Sequence, residues 1–262
     1  MKLTKLKLEL AGLLGLISAG CMSTSKLDTR IQEIRQKHNV EVRAENPLSR
    51  CYLFGYLPGL LKRIDEDLEK CPDYFKQNLG PVIIEEWFFD NLDVYKEIYP
   101  PFIIRGYVNE RAREERYPIH IKNRNLLEKI LLFAPRDSEL FSHEAAHSFT
   151  FNVMWDEKVC KRMVKGWEEA GGLPYLPPVI GGVFYFAFGS AFPPILYLRP
   201  DSMASFYGCV NPLEDMAETH CYLLRHDNNI EFLKEEDPAF YRKCKAWEDF
   251  IHGRELSEDL ED

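Results

Sequence analysis

The strongest constraint on this chain is the run Ser-His-Glu-Ala-Ala-His-Ser at residues 142–148. It contains an H-E-x-x-H motif, and on a helix the two histidines, His143 and His147, lie one turn apart on the same face. Two imidazoles at that spacing can occupy two corners of a tetrahedral zinc site. Glu144 lies beside them, where its carboxylate can accept a proton from a zinc-bound water. The motif therefore predicts a hydrolytic zinc site on a helix.

The residues around this run favour a helix with two different faces. Asp137, which follows Pro135, can cap the start of the helix. An apolar stripe recurs at one-turn spacing on roughly the opposite face and consists of Phe141, Ala145, Phe149 and Val153. Such a helix has one side in the core and one side at a site. The alternative interpretation is that the motif holds two partly buried histidines and a solvated glutamate.

A catalytic zinc usually keeps three protein ligands, and the third must come from elsewhere in the chain. The extended pattern with a third histidine on the same segment is absent, because Thr150 and Val153 stand where it would have Gly and His. A better candidate lies in residues 207–218. There Asn211 followed by Pro212 predicts the start of a second helix.

On this second helix, Glu214 and Glu218 lie one turn apart on the same face. We predict that Glu214 is the third metal ligand, with Glu218 as the alternative ligand. In the preferred arrangement, Glu218 accepts the N–H of a zinc-bound histidine and fixes its orientation. The competing interpretation is an acidic, solvated first turn, since carboxylates favour that position in any helix.

Residues 143–147 and 207–218 together resemble the gluzincin metallopeptidases of the anthrax lethal factor type. In that family, a tyrosine that precedes the ligand glutamate points into the site and assists the chemistry. The resemblance implies this catalytic role for Tyr207, beside Glu144 as the base. It does not extend over the rest of the chain, and the separation between the two segments is longer than in many gluzincins.

The remaining sequence predicts an α+β fold. Predicted helices cover residues 25–38, 60–79, 156–169 and 212–252. Predicted strands cover residues 82–88, 102–108 and 117–122, and a hairpin loop at 109–115 joins the last two. A small sheet followed by a metal-binding helix and a helical C-terminal part is the order of elements in zincin-like metallopeptidase domains. An edge strand of such a sheet commonly holds an extended substrate. We expect a single catalytic domain over residues 21–262, with a disordered acidic tail at 255–262.

Other potential metal ligands are predicted to have structural roles. His120 is expected on a strand face and His220 in helix packing. No C-x-x-C spacing occurs, which disfavours a cysteine-ligated zinc. Disulfide bonds are expected if the chain is exported, with Cys51–Cys71 as a sensible local pair and Cys209 able to hold the site segment. The alternative is that several of the cysteines are buried thiols.

The first twenty residues resemble a bacterial lipoprotein signal peptide. Three lysines precede a short apolar run at residues 10–17, and the small residues 18–20 lead to Cys21. The apolar run is far shorter than the ~20 residues that a spanning helix needs. We expect acylation (palmitate) of Cys21, with residues 22–25 as a polar tether, and localisation on a membrane face of the cell envelope. The alternative is an ordinary cleaved secretory signal.

Charge and the segment at residues 171–198 add two further expectations. The net charge of −9 excludes nucleic-acid binding through the overall field of the protein.

The segment at residues 171–198 has no charged residue and is rich in proline, glycine and aromatic residues. It is expected to form a wall of the substrate cleft, with a membrane-contacting loop or a simple covering of the core as alternatives.

Two classes of function fit this sequence. The first is a membrane-anchored zinc metallopeptidase that hydrolyses a protein or peptide substrate. The second is a non-catalytic zinc-binding or assembly lipoprotein of the cell envelope. Glu144 favours the first, since a binding module has no need of a base beside two metal ligands. The sequence leaves open whether the amide bond lies in a protein or in peptidoglycan.

Overall fold

The computed structural model describes residues 24–44, 57–86, 106–108, 116–123, 139–154, 157–170, 175 and 201–254. This part of the protein has an α+β fold, as predicted. Its helices are α1 Thr24–His38, α2 Leu57–Lys70, α3 Asp73–Gln77, α4 Leu140–Val153, α5 Glu157–Glu169, α6 Pro212–Arg225, α7 Leu233–Glu236 and α8 Pro238–Ile251, with a 3₁₀ turn at Tyr207–Val210. Its strands are β1 Val42–Ala44, β2 Val82–Glu86, β3 Gly106–Val108 and β4 Ile119–Asn123. None of the described helices is both long and apolar enough to cross a membrane.

The four strands form one mixed sheet in the order β1-β2-β4-β3. Strand β2 pairs in parallel with β1 and β4, whereas β3 pairs antiparallel with β4 and places Tyr107 opposite His120. The antiparallel pair agrees with the predicted hairpin, whose loop at 109–115 lies outside the described residues. Strand β1 was not predicted, because three residues are too few to show an alternating pattern.

The predicted helix at 60–79 is wrong as a single element. The structure divides it into α2 and α3 at Cys71 and Pro72, because proline lacks a backbone N–H and disfavours a helical conformation in the residue before it. The break also changes which residues face the core. After the break, Tyr74 is exposed and the neighbouring Phe75 is fully buried.

Helix α4 carries the H-E-x-x-H motif and packs against β3, β4 and α6. The predicted apolar stripe is confirmed, since Phe141, Ala145 and Phe149 are buried. The helix begins at Leu140 after Glu139, with no side-chain hydrogen bond at its cap. The expected cap, Asp137, lies outside the described residues. Glu139 instead forms an ion pair with Arg225 at the end of α6.

Hydrogen bonds fasten the far end of α4 to the chain around the sheet. Ser148 Oγ accepts a hydrogen bond from the N–H of Gly80 at 3.0 Å and donates one to the carbonyl of Tyr117 at 2.8 Å. One turn later, Asn152 Nδ2 donates to the carbonyl oxygens of Asn78 at 2.9 Å and Arg116 at 3.2 Å. These contacts fix the height and rotation of α4, and therefore the direction in which its histidines point.

The C-terminal part is helical, as predicted, although the predicted stretch 212–252 is divided into α6, α7 and α8. Trp247, Phe250 and Ile251 are buried in the core. The described cysteines Cys71, Cys209, Cys221 and Cys244 are buried thiols that form no disulfide bond, so the alternative to disulfides holds for these four. Cys51 and the side chain of Cys160 lie outside the described part.

Several other predictions fall on residues that the structure does not describe. They are the signal at 1–20, acylation of Cys21, the acidic tail at 255–262, and the segment at 171–198 apart from Tyr175. The expected polar tether at 22–25 is shorter than predicted, because α1 already begins at Thr24.

Candidate metal centre

The start of α6, which carries Glu214, is fixed by a local cap. Asn211 caps α6, as predicted, and its Oδ1 accepts hydrogen bonds from the N–H groups of Leu213 at 2.9 Å and Glu214 at 3.0 Å, while Pro212 occupies the first helical turn. The backbone of Glu214 is thus fixed at the start of α6. Helix α6 packs directly against α4, which brings the two predicted motifs together.

Three potential ligand atoms converge between α4 and α6. His143 Nε2 and His147 Nε2 are 3.1 Å apart, and Glu214 Oε2 lies 3.1 Å from the first and 3.3 Å from the second. Ligands bound tetrahedrally to zinc at about 2.0–2.1 Å would be roughly 3.3–3.4 Å apart. The three side chains therefore form a possible metal site with ligand types and separations that fit such an ion.

Glu218 contacts the other nitrogen of His143. His143 Nδ1 lies 3.0 Å from Glu218 Oε1, one helical turn beyond Glu214. This hydrogen bond fixes the orientation of the ring and leaves Nε2 directed at Glu214 and His147. Glu218 therefore contacts His143 on the side of the ring that faces away from Glu214.

The two predicted catalytic side chains also lie at this site. Glu144 follows His143 on α4 and is buried, and burial raises the pKa of its carboxyl group although the charges of His143 and His147 lower it. The ring of Tyr207 lies over that of His143, with 5.6 Å between their centroids and 32° between their planes. The 3₁₀ turn therefore brings Tyr207 to the ligand cluster.

The charges of the cluster stabilise one another. Burial alone would lower the pKa of His143, but hydrogen bonds with Cys221, Glu214 and Glu218 raise it well above the ordinary value. Burial would raise the pKa of Glu214, but the charge of His147 and hydrogen bonds with both histidines lower it below the usual range for a carboxyl. Glu214 on one side of His143 and Glu218 on the other thus favour positive charge at this position.

The sequence did not predict the role of Ser205. Its hydroxyl is fully buried and donates a hydrogen bond to Glu218 Oε2 at 2.7 Å. No spacing rule connects residue 205 with residue 218, since the two lie on different elements. The one sequence signal was its position two residues before Tyr207, just outside the segment 207–218 chosen for the third ligand.

Asp215, next to the ligand glutamate, was also missed. Its Oδ2 accepts hydrogen bonds from Trp167 Nε1 at 2.7 Å, Tyr175 OH at 2.9 Å and Lys243 Nζ at 2.7 Å. Both Asp215 and Lys243 are buried, so their charges are compensated mainly by each other and by these donors. This cluster fixes a face of α6 next to the one that carries Glu214 and Glu218.

The remaining histidines of interest lie outside the ligand cluster. His220 is buried and accepts a hydrogen bond from Trp247 Nε1 at 3.1 Å, and its ring stacks on Phe75, which confirms the predicted packing role. His120 is buried on β4, as expected for a strand-face residue.

A second group of potential ligands in the described part consists of His38, Asp65 and Glu69. The cationic side chains of Arg30 and Lys37 already bind its carboxylates. This group is therefore an ion-pair cluster between α1 and α2.

Comparisons with known proteins add no assignment. No protein-family model and no curated protein matches this sequence. The geometry of the cluster and the chemistry of its residues must therefore carry the functional argument.

Proposed function

We propose that this protein is a zinc-dependent metallopeptidase with a zincin-like catalytic domain. The observation that carries the proposal is the convergence of His143 Nε2, His147 Nε2 and Glu214 Oε2 within 3.3 Å of one another, with Glu144 on the same helix as the histidines. Two imidazoles and one carboxylate are a ligand set of catalytic zinc sites, which keep a fourth position open. A base beside that position is what amide hydrolysis requires.

Each side chain has a distinct part in the proposed reaction. When bound, zinc supplies an electrophile that polarises a carbonyl group and acidifies water. Glu144 accepts the proton of the attacking water and passes it to the leaving amine. Tyr207 donates a hydrogen bond to the oxyanion that develops on the scissile carbonyl. Glu218 keeps His143 in the tautomer and orientation that binding requires.

We propose further that the domain acts at a bacterial membrane face. The lipoprotein-type signal at residues 1–20 and the following Cys21 support this placement. Two or more acyl chains on an amino-terminal cysteine give stable anchoring, whereas a single chain gives marginal binding. The substrate would then be a protein, a peptide or a peptidoglycan amide within reach of the envelope.

The proposal is tested with Glu144→Gln, which removes the base without removing a ligand. This variant should keep its zinc and its fold but lose hydrolysis of an unfolded protein by several orders of magnitude. Tyr207→Phe should lose on the order of 10²-fold in kcat, as expected for one oxyanion donor. Glu235→Gln, an exposed glutamate on α7, is the matched control and should retain full activity.

The same experiment separates the two functional classes. Cleavage products of envelope proteins and of peptidoglycan are compared by mass spectrometry between the unchanged chain and Glu144→Gln. Products that depend on Glu144 identify the class of amide bond. Stoichiometric zinc without any Glu144-dependent product would instead favour the non-catalytic zinc-binding lipoprotein. Equal rates in the two proteins would contradict the peptidase mechanism.

A further inference from the structure

A buried hydroxyl links the two halves of the candidate metal centre. Ser205 Oγ donates a hydrogen bond to Glu218 Oε2 at 2.7 Å and accepts one from the N–H of Gly208 at 3.3 Å. Its side chain is fully buried. Glu218 uses its other oxygen, Oε1, for His143 Nδ1 at 3.0 Å. One hydroxyl therefore contacts both the residue behind a ligand and the turn that carries Tyr207.

The turn beside Ser205 has little freedom to move. Gly208 lies so close to α6 that an added Cβ would be 3.0 Å from Asp215 Oδ1 and 3.2 Å from Asp215 Cα. Contacts this tight mean that the 3₁₀ turn is seated directly on the helix that carries Glu214 and Glu218. Loss of the Ser205–Gly208 hydrogen bond would therefore shift Tyr207, the residue just before Gly208.

The hydrogen bond to Glu218 matters because that carboxylate is buried. Each oxygen of this carboxylate has one partner, His143 Nδ1 at Oε1 and Ser205 Oγ at Oε2. If the hydroxyl is removed, Glu218 Oε2 loses its hydrogen-bond donor. A buried charged oxygen without a donor destabilises the folded protein more than the loss of an exposed hydrogen bond does. The carboxylate can then rotate away from the geometry that orients His143.

We propose that Ser205 is a positioning residue of the metal centre. It holds Glu218 against His143 and at the same time fixes the turn that presents Tyr207. It touches neither metal nor substrate, and it acts through these two residues. The inference rests on the proposed zinc site, and it adds a residue that couples ligand orientation to the placement of the proposed oxyanion donor.

The test compares Ser205→Thr with Ser205→Val. Threonine and valine have nearly the same shape, so both variants add a similar volume at this buried position. They differ in that threonine keeps the hydroxyl and valine replaces it by a methyl group. The zinc dissociation constant of the full chain is measured by competition with a chelator. We expect Ser205→Val to bind zinc roughly 10-fold more weakly than Ser205→Thr, the lower end of the range for residues that support ligands. We also expect a lower kcat with little change in KM.

A double-mutant cycle identifies the route of the effect. Because Ser205 acts on zinc affinity through Glu218, the difference between the Thr and Val variants should disappear in a Glu218→Ala background. A difference of the same size in that background would contradict the proposed route. If the added methyl group prevents folding of both variants, Ser205→Ala is compared with the unchanged chain in the same cycle, since alanine removes the hydroxyl without adding volume.

The outcomes distinguish this inference from the proposed function. Equal zinc affinity and equal kcat in the Thr and Val variants, in a protein that binds zinc and hydrolyses its substrate, would overturn the role of Ser205 alone. Absence of zinc binding in the unchanged chain would overturn the metal centre itself, and the role of Ser205 with it. A loss of thermal stability without any change in zinc affinity would make Ser205 a packing residue and would also overturn the inference.

Discussion

His143 differs from His147 in that both of its ring nitrogens face charged residues of α6. Nε2 lies beside Glu214, and Nδ1 lies 3.0 Å from Glu218. His147 also contacts Glu214, but its ring stacks on Phe151 of its own helix, with 6.2 Å between the centroids. Changes behind the ligands should therefore act on the metal mainly through His143.

Single replacements on the two helices should separate ligands from their support. His147→Ala and Glu214→Ala should lose stoichiometric zinc, because each removes one corner of the site. Glu218→Ala should still bind zinc, but with an affinity lower by roughly 10- to 100-fold, as expected when a ligand loses its orienting partner. Metal content is measured after dialysis, and affinity by competition with a chelator. Full zinc in Glu214→Ala together with its loss in Glu218→Ala would transfer the ligand role to Glu218.

The sequence predicted those residues whose relation is local. His143 and His147 are one turn apart on α4, and Glu214 and Glu218 are one turn apart on α6, so a helical pattern is enough to place each pair on one face. The capping of α6 by Asn211 is local as well. Ser205 and Asp215 could not be assigned in this way, because their roles depend on how a 3₁₀ turn, α5 and α8 pack against α6.

At the level of elements, the sequence pattern was reliable for long amphipathic helices and unreliable at their interruptions. Helix α1 and helix α5 lie within a residue of their predicted bounds. The break between α2 and α3 was missed, although Pro72 is a recognised signal for it. The parallel pairing of β1 with β2 could not be predicted, since it joins strands on either side of two helices.

The packing of α4 near Gly80 predicts that Gly80→Ala strongly destabilises the fold. A Cβ at this position would lie 1.9 Å from the carbonyl oxygen of Arg116 and 2.4 Å from that of Tyr117, both of them backbone atoms. The backbone at residue 80 and the backbone at residues 116–117 would have to move apart. This movement would also disturb the hydrogen bond from Gly80 to Ser148. We expect a loss of about 1–3 kcal/mol or more in the free energy of unfolding, measured by urea denaturation.

Gly166→Ala on α5 is the matched control for this substitution. A Cβ there would have nothing within 4 Å, so alanine should stabilise the helix by roughly 0.5–1 kcal/mol. Opposite signs for the two variants would establish that close backbone approach requires glycine at position 80. A neutral or stabilising Gly80→Ala would contradict the packing described for α4.

Over the whole molecule, charged groups join elements that are distant in sequence. Lys243 on α8 reaches Asp215 on α6, and its Nζ also lies 5.9 Å from the ring centroid of Trp167. Tyr175 donates to the same carboxylate, so one residue of the uncharged segment at 171–198 is fixed behind the helix that carries Glu214. At the other side of the protein, Asp65 on α2 pairs with Arg30 and Lys37 of α1.

The cluster around Asp65 predicts how stability depends on pH. Burial would raise the pKa of Asp65, but hydrogen bonds with His38 and Lys37 and the charge of Arg30 lower it below its ordinary value. A lowered carboxyl pKa stabilises the folded state above the unfolded pKa of about 3.9, and this stabilisation is lost as the pH falls through the folded pKa. Asp65→Asn should therefore cost about 1 kcal/mol at pH 7, as expected for partly exposed pairs.

Urea denaturation at pH 7, 5, 4 and 3 tests this dependence on pH. The difference between Asp65→Asn and the unchanged chain should shrink once the pH is below about 4. Glu66→Gln, on the same helix, is the control. It should change the free energy of unfolding by less than ~0.5 kcal/mol, because both partners of the Lys62–Glu66 ion pair are exposed. A difference for Asp65→Asn that grows on acidification would contradict the sign derived from the ion pairs.

The start of α1 determines how closely a lipid anchor would hold the domain. Helix α1 begins at Thr24, and Leu27 in its first turns is fully buried, so three residue steps separate Cys21 from the folded domain. Fully extended, they span roughly 10 Å, which would place the α1 end of the domain at the bilayer surface. We expect the unchanged mature protein in the membrane fraction, and Cys21→Ser in the soluble envelope fraction or unprocessed. Met22→Ala, which keeps the cysteine, should remain with the membrane. Solubility of the unchanged mature protein without detergent would contradict the anchor, while leaving the proposed metal centre between α4 and α6 unaffected.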